Sequence, residues 1–134
     1  MIVVDTNIIA YLLLSGEHSE KAAKALRREQ VWAVPILWRS ELRNVLALYI
    51  RKSVLTVSQA VAVIDRADEL INGQEFSVST RSVLELVERS NCSAYDCDFV
   101  ALAQDLNAKL LTDDRRILDQ FPEVAVSLDR FINV

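Results

Sequence analysis

Short, wholly apolar runs alternate along this chain with amphipathic stretches, and no other feature restricts the fold as much. Ile2-Val3-Val4 is apolar without a break, as a strand covered on both faces must be. Further strands are expected at 31–34, ended by Pro35, and at 75–78, 109–112 and 124–127. Between them, helices are expected over 6–14, 19–28, 36–52, from a cap at Thr56-Val57-Ser58 to 71, 80–89, 96–107 and 114–120. Ser19 reads as the cap of the second helix, with Ala22, Ala23 and Leu26 inward. Asn72-Gly73 stops the fourth helix, and Ser79 or Thr80 caps the fifth. This alternation implies the α/β class: a single three-layer α/β/α domain over residues 1–134, with a mostly parallel sheet of about five strands. With only two Gly and two Pro, the chain has no flexible linker or low-complexity tract. In such folds ligands bind beyond the carboxyl ends of strands, near a topological switch point.

Four acids stand where a carboxylate is costly. Asp5 ends the first apolar run, and Asp114 follows Leu110-Leu111-Thr112. Glu41 falls on the apolar arc of its helix, beside Leu37, Val45 and Leu48. Asp96 falls on the arc of Phe99, Val100, Leu102, Ala103 and Leu106. Asp98 lies opposite with Asp105 and is assigned to solvent. Four unpaired buried charges are not viable, so convergence on a divalent cation is the economical explanation. Oxygen-only donors favour Mg²⁺ or Mn²⁺ over zinc. Blander readings exist: a salt bridge for Glu41, to Lys52 or an arginine, and a helix cap for Asp96. Asp113 and Asp114 both follow a strand, and periodicity does not separate them.

Other chemistries have little support. Cys92 and Cys97 are the only cysteines and His18 the only histidine, too few for a zinc site without carboxylates. Two buried thiols in a reducing compartment are expected. His18 lies in a polar stretch and reads as an exposed loop residue, which leaves histidine acid–base catalysis and Ser or Cys triads without a base. The net charge of −4 equals the four special carboxylates, so acidity does not exclude a nucleic-acid partner. No basic leader or long apolar run is seen, which gives a cytoplasmic protein without membrane contact.

Val3-Val4-Asp5-Thr6-Asn7, Ser40-Glu41-Leu42 with Val45-Leu46, Tyr95-Asp96-Cys97-Asp98-Phe99-Val100-Ala101-Leu102-Ala103 and Leu110-Leu111-Thr112-Asp113-Asp114 together resemble the four motifs of the PIN-domain nucleases. The likeness is nearest to the VapC-type toxins of prokaryotic toxin–antitoxin pairs. It covers the whole chain, in order. It implies a metal site of Asp5, Glu41, Asp96 and Asp114, the last chosen over Asp113 by the family's Thr-x-Asp pattern. Asn7 and Thr112 would be supporting polar residues. It also implies an Mg²⁺- or Mn²⁺-dependent endoribonuclease, a cognate antitoxin and a homodimer. Such an ion would acidify a water and aim it in line at phosphorus, leaving a 5′-phosphate and needing no 2′-hydroxyl.

Alternatives are a housekeeping PIN nuclease of RNA processing and a non-catalytic metal-binding module. A response-regulator receiver domain fits poorly, because the first strand ends in one acid and the third in Ser79-Thr80. Arg39, Arg43, Trp38 and Tyr49 are candidate RNA contacts. Trp38, Leu42, Tyr49, Ile50 and Val54 offer more apolar surface than one core face needs, which suggests an association surface.

Overall fold

All five strands run in the same direction. The computed structural model describes residues 1–133. Its elements are β1 (Ile2–Val4), α1 (Thr6–Leu13), α2 (Ser19–Arg28), β2 (Trp32–Pro35), α3 (Trp38–Arg51), α4 (Val57–Ile71), β3 (Glu75–Phe76), α5 (Thr80–Glu88), α6 (Ala94–Asp105), β4 (Leu110–Leu111), α7 (Arg115–Gln120), β5 (Ala125–Val126) and α8 (Leu128–Ile132). The sheet order is β3-β2-β1-β4-β5, parallel throughout. β1 is central: Val3 pairs with Ala33 of β2 on one side and with Leu110 of β4 on the other. The chain therefore leaves β1 in one direction and returns on its opposite flank, which makes the carboxyl end of β1 the switch point.

Burial explains the apolar runs. Val3, Val4, Ala33, Val34, Leu110 and Leu111 are wholly buried. Helix α6 packs on β1, β2 and β4, with α5 against it. Helices α1 to α4 pack on one another, α4 reaches β2, and α8 lies on α2. Helix α4 is bounded as its caps dictate: Thr56 and Gln59 form a capping box, and Asn72 ends it in the left-handed region at φ 49°.

Several local expectations are corrected. β3, β4 and β5 are each two residues long, where runs of four were expected. Ser19 does not cap α2; its hydroxyl donates to the Leu14 carbonyl, and His18 occupies the cap position without a side-chain bond. Ala25, not Ala23, is buried beside Ala22. Helix α6 begins two residues early, since Ser93 is its cap and Asp96 is the third residue of a capping box. Cys92 and Cys97 then occupy the staple positions just before the cap and at the fourth helical residue. Both thiols are free and buried, as expected. Helix α8 was not expected: five residues behind a Ser127 cap are too few for periodicity to register. Among the described residues, no helix is long and apolar enough to cross a membrane.

Candidate active site

The four acids reach one place by two routes. Asp5 and Asp114 come from the sheet. Val4 pairs with Leu111, and the Asp5 N–H donates to the Leu111 carbonyl at 3.0 Å, so β1 and β4 end side by side. Glu41 and Asp96 come from the first turns of α3 and α6. Together with Thr6, Asn7, Ser40, Asn44 and Tyr95 they line a cleft of about 500 Å³. Leu37 and Val45 supply its apolar wall.

Each carboxylate is held through one oxygen. The buried Thr112 hydroxyl donates to Asp5 Oδ2 at 2.7 Å and accepts from the Asp114 N–H at 3.0 Å. Asp114 Oδ1 accepts from the Ile117 N–H at 3.1 Å, so this acid caps α7. The Thr6 hydroxyl donates to Glu41 Oε1 at 2.7 Å. Asp96 Oδ2 accepts from the Ser93 N–H, and the Asp96 N–H donates back to Ser93 Oγ.

Burial pushes the Asp5 carboxyl up to about 6. The Thr112 hydroxyl and the Thr6 N–H oppose that shift, while Asp114 and Asp96 add to it. Burial also raises Glu41, against the Thr6 hydroxyl and with help from Asp5, Asp96 and Asp98. Among the described residues Glu41 takes part in no ion pair, so the salt-bridge reading fails. Nor, among the described residues, are any three His, Cys, Asp or Glu side chains drawn tightly enough to enclose an ion. The donor set, all oxygen and net negative, still fits a hard cation.

Other candidates fall away from the cleft. Asp113 Oδ1 accepts from the Leu128 N–H at 2.9 Å and so fastens the start of α8. Asp98 is half-buried rather than solvated, and burial raises its carboxyl. It faces a neighbouring hollow lined by Ile36, Phe76, Val78 and Leu84. Trp38 is not placed to contact RNA, and Arg39 is engaged by two acids. Trp38 is wholly buried and donates to Glu75, and Arg39 pairs with Asp68 and Glu75. Trp38 and Leu42 also leave the expected association surface, since both are core residues. His18 is half-exposed and stacks on Tyr11 at 4.4 Å. Thr6 and Ser93 are site residues that sequence reasoning passed over. Ser93 carried a signal, a Ser three residues before an acid at a helix start. Thr6 carried none beyond adjacency to Asp5.

Comparison with known proteins agrees with this architecture. Over 124 residues the chain is 28% identical to Ribonuclease VapC3 of Pyrobaculum aerophilum, covering 90% of this chain and 95% of that one. Its fold is similar to the crystal structure of PAE2754 from the same organism, with TM-score 0.75, 18% identity, and coverage of 98% and 85%. It is also similar to a toxin–antitoxin complex from Klebsiella pneumoniae, with TM-score 0.70, 16% identity, and coverage of 96% and 98%. Residues 2–125 match the PIN domain, and the chain belongs to that family.

Proposed function

We propose that this chain is a divalent-metal-dependent endoribonuclease and the toxin of a toxin–antitoxin pair, cutting RNA phosphodiester bonds by attack of water. One observation carries the reading: Asp5, Glu41, Asp96 and Asp114 line a single open cleft at the switch point. With no histidine or cysteine among the described lining residues, proton shuttling by imidazole and thiolate attack have no agent there. Asp5, Glu41, Asp96 and Asp114 are the residues that would hold a cation, Mg²⁺ or Mn²⁺, by drawing closer around it than they stand without it. When bound, such an ion would supply Lewis acidity toward a phosphate and would lower the pKa of a water. The chain's own residues orient the acids. Thr112 and Thr6 fix Asp5 and Glu41 by short hydroxyl bonds, and the α6 capping box aims Asp96. Asn7, Asn44 and Ser40 on the rim offer neutral donors to a phosphate or sugar.

The names of the relatives support the biology. One is called a ribonuclease and another a toxin–antitoxin complex. An open cluster of carboxylates suits silencing by a partner that inserts an arginine where metal and phosphate would sit. The same reading includes work in the cytoplasm and a homodimer. The exposed side chains of Ile36 and Leu84 give association an apolar contact that Trp38 and Leu42 do not.

The test is cleavage of RNA by the purified chain with Mn²⁺. Cleavage should leave 5′-phosphates and stop on chelation. Asp5→Asn should reduce the rate by more than about 100-fold, beyond the usual cost of losing a residue that only supports a metal ligand. A folded Asp5→Asn protein cutting at the wild-type rate would remove Asp5 from the site. Expression of the wild type alone should slow growth, and Asp5→Asn should relieve it. Unaffected growth under an active enzyme would favour RNA processing instead.

A further inference from the structure

Beside the acid cleft, with Asn7 and Val45 lining both, lies a groove of about 270 Å³ between α1 and α3. Its α1 wall is Asn7, Ala10, Tyr11 and Leu14, one face at helical spacing. Its α3 wall is Val45 and Tyr49, continuing the stripe that begins at Glu41. Along that helix Tyr49 lies about 12 Å from Glu41. The floor is aliphatic, and the rings of Tyr11 and Tyr49 line it from the two helices. His18, which also lines the groove, stacks one face of its ring on Tyr11 at 4.4 Å and 29°.

We propose that this groove is a subsite for one base of the RNA strand flanking the cleaved bond, with Tyr11 and Tyr49 as its stacking surfaces and the Asn7 amide as its polar contact. The proposal rests on the ribonuclease reading of the acid cleft. Continuity names the occupant, since Asn7 and Val45 border both sites and a strand lying across the acids would pass a flanking nucleotide to the groove. Charge then selects which part of that nucleotide enters. Among the described lining residues there is no Lys or Arg, and His18 Nε2 lies 3.3 Å from Glu17 Oε1. A phosphate would meet Glu17 without a free cation, whereas a base brings a neutral π-face that aromatic rings accept. An amide can read its hydrogen-bonding edge.

The experiment compares wild type, Tyr11→Leu, Tyr11→Phe and Tyr49→Leu on RNA of randomised sequence with Mn²⁺, reading KM, kcat and the bases around each cut. The wild type should show a base preference at one flanking position. Both Leu variants should flatten it and raise KM roughly tenfold, the usual effect of losing one stacked base, with kcat little changed. Tyr11→Phe should behave as wild type. Preference and KM unchanged in both Leu variants would overturn the subsite. So would unchanged RNA cutting together with lost binding of a protein partner, which would assign the groove to that partner. A second readout does not depend on cleavage: AMP, CMP, GMP and UMP added to metal-free wild type should shift the Tyr11 and Tyr49 ring resonances. Their silence would also overturn the proposal. Shifts in a protein that cuts no RNA would support the base site while removing the nuclease reading.

Discussion

Asp5 concentrates the energetic conflict of the site in one side chain. Its carboxyl titrates near 6 because burial and two nearby acids outweigh the Thr112 hydroxyl. A folded-state value above the unfolded one means that the native protein binds the extra proton. The associated stability is present in full below the unfolded value and disappears as pH rises through about 6. Between about pH 5 and pH 7.5 a shift of this size removes on the order of 1 kcal/mol. The metal-free protein should thus melt roughly 5 °C lower at the higher pH, and Asp5→Asn should lose most of that dependence. Glu41 is raised by the same causes, so Glu41→Gln should leave the metal-free protein as stable as wild type or slightly more so. A large drop in melting temperature on Glu41→Gln would reveal a structural role that the Thr6 bond does not account for. Asp98→Asn is the control. It faces the neighbouring hollow, and RNA cutting should change little.

At the scale of elements, two helices carry the same starting device with different consequences. Helix α4 opens on the Thr56–Gln59 capping box and α6 on the Ser93–Asp96 one. Losing a cap of this kind costs about 1 kcal/mol. Thr56→Ala and Ser93→Ala should therefore lower stability alike in thermal melts. Only Ser93→Ala frees a site acid, and its RNA-cutting rate should fall by about tenfold, in line with loss of a group that orients a metal ligand. Equal activity in the two variants would show that Asp96 needs no help from Ser93. The contrast also explains why α6 tolerates an acid in its inner face. Asp96 sits in the first turn, where backbone N–H groups and the helix dipole favour negative charge, and the buried run from Phe99 to Ala103 follows it.

For the whole molecule, the sheet order brings four acids from four elements to one edge. A cation that binds only the folded chain should stabilise it, by about 2.7 kcal/mol at a hundred times its dissociation constant. Mn²⁺ should raise the melting temperature at neutral pH in a concentration-dependent way, and chelation should reverse it. No shift, or the same shift in Asp5→Asn, would separate the cleft from metal binding. A protein partner that inserts a cation into this cleft should compete with Mn²⁺, and its association should slow as salt rises. Titration of the purified pair with Mn²⁺ reads that competition directly.

Much of this organisation is legible in the residues alone, because burial leaves a mark on sequence. Ile2-Val3-Val4 and Leu110-Leu111 are apolar at every position since both faces of a central parallel strand are covered, and that pattern fixes strand type and fold class. An acid on an apolar helical face, as at Glu41 and Asp96, is a contradiction that local structure cannot resolve, so the sequence itself points to a site. What it did not determine depends on neighbours distant in the chain. Asp113 and Asp114 are not separated by periodicity; the return of α8 beside β4 gives Asp113 the Leu128 N–H, 15 residues away, while Asp114 caps α7 and lines the cleft. Trp38 reads as an interface ring until Glu75, 37 residues away, accepts its indole N–H and closes it into the core. The groove of Tyr11 and Tyr49 exists only because α1 packs against α3. Periodicity records how much of a side chain is buried, whereas its burying partner is decided by the tertiary fold.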